Sequence, residues 1–185
     1  AHTLSLHDAL PISIKEDAPL KEAFSPYGKT KQICEEIIRD TTKSNSSTKS
    51  VVLRYFNPVG AHPSSLIGEL PNWKPQNLIP FITQTLIGKI NKLMVFGDDY
   101  PTEDGTCIRD YIDVMDLAEA HIKSLEFILD PKNEKNFEVI NIGTGREITI
   151  GKLAKTIYQI MGLNLKLSKD KKRLRPKKSE VLRLK

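Results

Sequence analysis

The hydrophobic positions between residues 27 and 41 recur with the period of an amphipathic helix. Ser25 and Pro26 mark where this helix begins, because serine is favoured as an N-cap and proline at the first helical position. We therefore expect one face of the helix to pack on a core and the opposite face to meet solvent. The predicted core face consists of Ile33, Ile37 and Ile38, and the predicted solvent face of Glu35, Glu36 and Arg39.

Strand-like and helix-like patterns alternate along the rest of the chain. The runs "SVVLRYFN", "KLMVFG", "CIRDYIDV" and "FEVINIG" are apolar or β-branched and predict strands. The runs "NLIPFITQTLIGK", "MDLAEAHIKSLEFIL" and "TIGKLAKTIYQIMG" predict helices; Pro80 either kinks the first or marks its true start, and Gly162 ends the last. The second helix has a predicted core face of Leu117, Ala118, Ile122 and Leu125. The alternation predicts an α/β fold, with a long Gly/Pro-rich loop, "PVGAHPSSLIGELPNWKP", of a kind that is often functional.

Composition limits the class of protein. The chain has 185 residues, of which 39% are hydrophobic and 28% charged, and these values are typical of a soluble globular domain. No apolar run is long enough to span a membrane. The two cysteines, Cys34 and Cys107, are far apart and have no zinc-site spacing, so we interpret them as reduced thiols of a cytoplasmic protein.

The net charge of +5 comes from one end of the chain. Residues 166–185 contain ten Lys and Arg against two acidic residues, which gives +8 there and leaves −3 for the remainder. A basic segment can bind nucleic acid or an anionic surface. Because no aromatic residue is interleaved for base stacking, a phosphate-binding segment or a solvated end is favoured over a nucleic-acid partner.

The first thirteen residues, "AHTLSLHDALPIS", share no periodicity with the helix and strand patterns of the rest of the chain. Back-translated, residues 2–12 are similar to one reading frame of a common sequencing adapter. A signal peptide is disfavoured because the segment has neither a basic start nor a continuous apolar core. We therefore expect residues 1–13 to be an artefact, and expect the native protein to continue upstream of Ile14.

The stretch "SPYGKTK" places Tyr27 four residues before Lys31, so that a helix would put both side chains on one face. A fixed positive charge beside a phenol favours its ionised form. From these residues alone, the pair is either a catalytic base or an ordinary helix surface.

Five motifs stand in a specific order: "SPYGKTK", "LRYFNPVGAH", "QNLIP", "VFGDDYPTEDGTCIRDYIDVMDLAEAH" and "NIGTG". This order resembles the extended short-chain dehydrogenase/reductase superfamily and, within it, the UDP-glucose 4-epimerase family. The resemblance covers residues 14–162. It implies the C-terminal part of a doubly wound parallel-sheet (Rossmann-like) domain, with a small mixed α/β substrate-binding region interleaved in it. Residues 163–185 would then be a basic C-terminal segment.

The resemblance also implies a function: a cytoplasmic enzyme with tightly held NAD that interconverts UDP-glucose and UDP-galactose, commonly as a homodimer and without a membrane partner. Tyr27 and Lys31 match the catalytic pair. In such enzymes the tyrosine takes the proton of the sugar 4-hydroxyl as hydride leaves C4 for NAD, and the lysine also holds the nicotinamide ribose. Without its missing half, this chain by itself is expected neither to hold NAD tightly nor to turn over.

The remaining site residues are carried over from the same resemblance. Tyr55 and Phe56 match cofactor-side positions, although both could instead be strand core. Arg109 matches the arginine that clamps the diphosphate, with an ion pair to Asp110 as the alternative. The predicted substrate-binding residues are Asn57, Gln76, Asn77 and Leu78 near the diphosphate, Met94, Val95 and Phe96 beside the uracil, and Tyr111 near the site.

The sequence also departs from the family pattern. The glycine-rich phosphate motif and the third catalytic residue, a Ser or Thr upstream of Tyr27, are not found in this chain. Asp113 stands where the family often has His. The tail "RLRPKKSEVLRL" is more similar to sugar-nucleotide 4,6-dehydratases, and either Arg173 or Arg175 could contact the phosphates. The alternatives left open are a 4,6-dehydratase, a UDP-N-acetylglucosamine 4-epimerase, and an inactive fragment or nucleic-acid binder.

Overall fold

The computed structural model describes residues 15–23, 25–73, 75, 77–97, 99–163 and 167–170. Helices and parallel strands alternate along it, so the predicted α/β class is confirmed. No helix within these ranges is long and apolar enough to cross a bilayer. In chain order the elements are α1 (Pro26–Ser44), β1 (Ser50–Tyr55), β2 (Asn57–Val59), α2 (Leu78–Leu86), β3 (Leu93–Phe96), β4 (Ile108–Asp113), α3 (Val114–Leu129), β5 (Phe137–Ile142), β6 (Glu147–Thr149), α4 (Ile150–Ile160) and β7 (Leu167–Asp170).

The chain divides into two compact units. The first contains the described residues up to Gly60 together with Asp110–Arg146, and the second contains Ala61–Arg109 and the described residues from Glu147 onward. In the first unit β1 pairs in parallel with β5, from Ser50 opposite Phe137 to Tyr55 opposite Ile142. Strand β4 is central in a three-stranded sheet of order β2-β4-β6.

The core of the second unit lies between α2, β3 and α4. Its buried residues come from all three elements, and Leu78, Met94 and Ile157 pack against them as partly buried neighbours. Strand β3 pairs in parallel with β7, with Leu93 opposite Leu167. The sequence did not predict β7, because its residues lie within the basic run, where charge hides any strand pattern. The buried core consists of Phe81, Ile82, Leu93, Ala154 and Tyr158.

The predicted start of α1 is confirmed. The Ser25 hydroxyl accepts a hydrogen bond from the backbone N–H of Gly28 at 3.0 Å, and Pro26 is the first helical residue. The helix extends three residues beyond the predicted end at Thr41 and finishes at Ser44.

The predicted core face of α1 is wrong, and so is the solvent position of Glu35, whereas Glu36 and Arg39 are exposed as predicted. Glu35, which we expected on the solvent face, is only 7% exposed, whereas Ile37, expected in the core, is 58% exposed. Ile33 and Ile38 are also exposed. The polar side chains can face inward because each meets a partner: Glu35 forms an ion pair with Arg54 on β1. The buried residues of α1 are Gly28, Gln32, Glu35 and Thr42.

The predicted core face of α3 is displaced by about one position along the helix. Of the predicted set only Leu117 is buried; Ala118, Ile122 and Leu125 are exposed. Because Ser124 donates its hydroxyl to the carbonyl of Ala120, a polar residue takes the inward position that apolar periodicity alone would not assign. The buried residues of α3 are Leu117, Ser124 and Ile128.

Two further predictions are refined. The run "SVVLRYFN" forms two short strands rather than one, because β1 ends at Tyr55 and β2 begins at Asn57. Phe56 between them still donates its N–H to the carbonyl of Ile142 at 3.0 Å. In α2, Pro80 lies in the first turn, where a missing N–H costs nothing, so it marks the start of the helix rather than a kink.

Candidate functional site

Helix α1 runs antiparallel to β1. Thr42, near the end of the helix, contacts Ser50 at the start of the strand, with 2.8 Å between their hydroxyl oxygens. Glu35, earlier in the helix, pairs with Arg54 near the strand's end. Eight residues of helix before Glu35 span about 12 Å, and three residues of strand after Arg54 span about 10 Å. Tyr27 therefore lies level with Asn57, at the carboxyl edge of the parallel strands.

Tyr27 and Lys31 lie side by side in the first turns of α1. The Lys31 Nζ is 5.3 Å from the centroid of the Tyr27 ring, which is within cation–π range. Tyr27 is 49% exposed although it is a large aromatic residue. A phenol and an ammonium group are thus presented together at the strand edge where α/β proteins bind their ligands.

Three other predicted residues of the first unit lie at this same edge. Tyr55 is the last residue of β1, and its ring centroid is 6.4 Å from that of His121. Asn57 begins β2 directly opposite Tyr111 of β4. The structure thus brings Tyr27, Tyr55, Asn57 and Tyr111 to one end of the first unit.

Phe56 is fixed against a turn that comes directly after β5. A Cβ atom built on Gly143 would lie 2.5 Å from the Phe56 ring and 2.6 Å from the Asp110 carboxylate, so only glycine fits there. Asp110 is 2% exposed, and its carboxylate accepts hydrogen bonds from the N–H and hydroxyl of Thr144 and from the N–H of Gly145. This carboxylate therefore holds the turn that backs Phe56.

The predicted residues Asn77, Leu78, Met94 and Val95 belong to the second unit. Asn77 is the N-cap of α2, but its side chain donates to Glu69 at 2.8 Å instead of capping the helix. Leu78 and Met94 pack against the core, and Val95 is buried, so their side chains have clear packing roles. A ligand at this place would meet the N–H groups at the start of α2.

Among the described residues no ion pair joins Arg109, on β4, to Asp110, and the Asp110 carboxylate contacts the turn after β5 instead. The Arg109 guanidinium donates from Nη1 to the carbonyl of Ile108 at 2.7 Å. Burial raises the pKa of the neighbouring Cys107 thiol, while the positive charge of Arg109 acts in the opposite direction.

Four predicted residues cannot be assigned contacts. Gln76, Arg173 and Arg175 lie outside the described residues, and for Phe96 the backbone alone is described, within β3. Asp113, which replaces the family's frequent His, caps α3 by accepting a hydrogen bond from the N–H of Met115 at 2.7 Å.

The sequence interpretation missed two carboxylates that shape these regions. Glu35 lies four residues after Lys31, a spacing that places it on the same side of the helix and could have drawn attention to it. Asp104 accepts hydrogen bonds from the hydroxyls of Thr106 and Thr149 and thereby ties the loop before β4 to the start of α4. Partial burial opposes ionisation of Asp104, but the hydroxyl and N–H donors outweigh it and lower its pKa.

Parallel strands, a helix running antiparallel to them, and a Tyr–Lys pair at their carboxyl edge define a Rossmann-like α/β protein of the short-chain dehydrogenase/reductase type. The sequence profile of the NAD dependent epimerase/dehydratase family matches residues 6–143. The chain belongs to this family.

Two similar proteins within the family are both UDP-glucose 4-epimerases. The chain is 45% identical over 152 residues to a UDP-glucose 4-epimerase of Erwinia amylovora, covering 82% of this chain and 44% of that protein. It is 47% identical over 149 residues to the UDP-glucose 4-epimerase of Bacillus subtilis, covering 80% and 43%. The chain thus spans less than half the length of these two relatives.

A solved structure shows the same similarity. The UDP-glucose 4-epimerase of Bifidobacterium longum, crystallised with NAD+ and UDP, superposes with a TM-score of 0.84 at 35% identity. The match covers 94% of this chain and 50% of that one. The predicted fold and family are confirmed by these comparisons, whereas the individual site residues remain predictions.

Proposed function

We propose that the protein to which this chain belongs interconverts UDP-glucose and UDP-galactose, using NAD to oxidise and re-reduce the sugar at C4. The observation that carries the proposal is the exposed Tyr27–Lys31 pair at the carboxyl edge of the strands, within a chain about 45% identical to UDP-glucose 4-epimerases. An exposed tyrosine beside a lysine at a ligand-binding edge has the chemistry of a general base.

Each residue of the pair has a separate task. The Tyr27 phenolate accepts the proton of the sugar 4-hydroxyl, and the Lys31 ammonium stabilises the phenolate and holds the nicotinamide ribose. NAD, when bound, takes up hydride from C4 and returns it to the opposite face of the sugar. The chain's own residues must therefore hold the sugar so that its C4 stays beside Tyr27 while the ring turns over.

The residues at the carboxyl edge fit a dinucleotide. Tyr55 ends β1 and Phe56 follows it, and the Phe56 ring packs closely against Gly143. Because glycine allows the backbone after β5 to approach the Phe56 ring this closely, Phe56 is well packed, and a flat ring of the cofactor can stack at this edge. We assign Tyr55 and Phe56 to the cofactor together with the catalytic pair.

The predicted substrate residues keep their proposed role in binding the UDP-sugar. Asn57 and Tyr111 are assigned to it, and Arg109 has a planar guanidinium suited to a diphosphate. The start of α2 at Asn77 has N–H donors of the kind that bind phosphate groups. The other residues proposed to bind the UDP-sugar are Gln76, Leu78, Met94, Val95, Phe96, Arg173 and Arg175.

We also infer a cytoplasmic homodimer. Both cysteines are free thiols, which is typical of a reducing compartment. The outward face of α1 carries Ile33 and Ile37, both exposed, and a second copy could bury them. Ile37→Glu should convert a dimer to a monomer in sedimentation, and an unchanged mass would contradict this interface.

The function is tested by offering UDP-galactose, UDP-glucose and both UDP-N-acetylhexosamines to a protein of the relatives' full length that carries this chain. Proton NMR should show the C4 epimer of at least one hexose substrate. Formation of a 4-keto-6-deoxy sugar would favour the dehydratase alternative instead. If none of the four substrates changes while NAD is bound, the proposed reaction is wrong.

A further inference from the structure

We propose that the buried ion pair between Glu35 and Arg54 positions the catalytic pair, by fixing the rotation of α1 about its own axis. The inference rests on the proposed function for the roles of Tyr27 and Lys31. It assigns Glu35 and Arg54 as positioning residues that act through the helix and do not touch the substrate.

The pair has the geometry of a rigid clamp. Arg54 donates from Nε to Glu35 Oε2 at 2.9 Å and from Nη2 to Oε1 at 2.6 Å, so the contact is bidentate. The two side chains are 15% and 9% exposed. Two parallel hydrogen bonds between planar groups restrict direction as well as distance, which a single contact would not do.

Arg54 is itself held in place. Its third donor, Nη1, contacts the carbonyl of Glu16 at 3.1 Å, and the Glu16 carboxylate accepts the N–H of Asn141 on β5. The anchor on the strand side is therefore tied to both β1 and β5. Movement of Glu35 relative to the sheet would have to break this arrangement.

Because of the residue spacing along α1, the Glu35–Arg54 ion pair also fixes the orientation of Tyr27 and Lys31. Tyr27, Lys31 and Glu35 are each four residues apart, so successive side chains differ by about 40° around the axis. Glu35 faces the sheet, while Tyr27 and Lys31 lie beside that buried face. At a side-chain radius of about 6 Å, a rotation of roughly 10° would move a side chain by about 1 Å. A misplacement of that size can cost about 100-fold in rate.

The other inward contacts of α1 are weaker constraints near the active pair. Gln32 donates to the carbonyl of Lys21, and the Thr42–Ser50 contact lies at the opposite end of the helix. A buried ion pair is also weak support for stability, since apolar residues of similar volume often replace one without loss. The presence of charges at this position is therefore better explained by a role in orienting the helix than by a role in stability.

The test separates orientation from stability, in a protein of the relatives' full length that carries this chain. The double variant Glu35→Leu with Arg54→Met fills the site with apolar groups and should keep the fold. We expect kcat per equivalent of bound NAD to fall about 100-fold, while the KM for UDP-glucose changes by less than about threefold and the Tm stays within a few degrees. Arg54→Lys keeps the positive charge but loses the bidentate contact, so its kcat should lie between those of the wild type and the double variant.

The matched control is Arg39→Gln. Arg39 also pairs with Glu35, at 3.0 Å, but it lies on the same helix and is 49% exposed, so its loss should leave kcat unchanged. A folded double variant with kcat within threefold of the wild type would overturn the proposal. If the wild type fails to interconvert the UDP-hexoses, the proposed function fails by itself; a crystal structure of the double variant then decides the inference. A Tyr27 hydroxyl displaced by about 1 Å or more relative to β1 supports it, and an unmoved hydroxyl contradicts it.

Discussion

Replacing Gly143 by alanine should destabilise the protein strongly, although it adds only one methyl group. The added Cβ would lie 2.5 Å from Cδ2 of Phe56 and 2.6 Å from Oδ2 of Asp110. Ordinary contact requires about 3.5 Å or more, so a neighbour must move by about 1 Å. The backbone of Gly143 is outside the left-handed region, so the cost is steric and does not arise from its dihedral angles.

Neither neighbour can move freely. The Phe56 backbone is tied to Ile142 at 3.0 Å, and the Asp110 carboxylate is held by Thr144 and Gly145. Overpacking of a tight site costs about 1–3 kcal/mol, and loosening a buried carboxylate from its donors adds to this. We expect a loss of about 2–3 kcal/mol, and for a protein of 150–250 residues a fall in Tm of about 4–12 °C.

Urea unfolding followed by circular dichroism measures this loss. The matched control is Gly68→Ala, whose Cβ would meet only the Cβ of Ala61 at 3.8 Å. Its free energy of unfolding should change by less than about 0.5 kcal/mol. If Gly143→Ala were as stable as Gly68→Ala, the turn after β5 would not be held as we describe.

Three further predictions concern single side chains. Cys34 is exposed and the pKa of Cys107 is raised by burial, so at pH 8 a thiol reagent should label Cys34 quickly and Cys107 slowly, and equal rates would contradict the burial. Because the pKa of Asp104 is lowered, its hydrogen bonds stabilise the fold above about pH 4 and are lost as the pH falls through the folded pKa. Asp104→Asn should therefore lower the Tm at pH 7 by more than at pH 3, and a pH-independent difference would refute this. Lys31→Met should reduce kcat by about 100-fold or more, and a loss confined to KM would show that Lys31 only binds.

The sequence predicted the local features of the first unit well. Ser25 and Pro26 identified the start of α1, because capping depends on neighbours within three residues. The spacing of Tyr27 and Lys31 predicted their contact for the same reason. Alternating strand and helix patterns were enough to predict the α/β class.

Features that depend on distant partners were not predictable in the same way. Periodicity indicates that α1 has two faces, but Arg54, nineteen residues beyond Glu35, decides which one is buried. The packing of Phe56, between β1 and β2, likewise involves Gly143, which lies far along the chain. The hydrophobic pattern alone therefore predicted the wrong core face for α1, because its inward contacts are hydrogen bonds and an ion pair.

The most direct test of the central claim is the kcat of Tyr27→Phe for UDP-galactose, in a protein of the relatives' full length that carries this chain. The substitution removes only the phenolic oxygen, so the ring and the Lys31 contact can remain. If Tyr27 is the general base, kcat should fall by about 100- to 10,000-fold while NAD stays bound. A kcat within tenfold of the wild type would show that another group takes the proton and that the proposed catalytic pair is wrong.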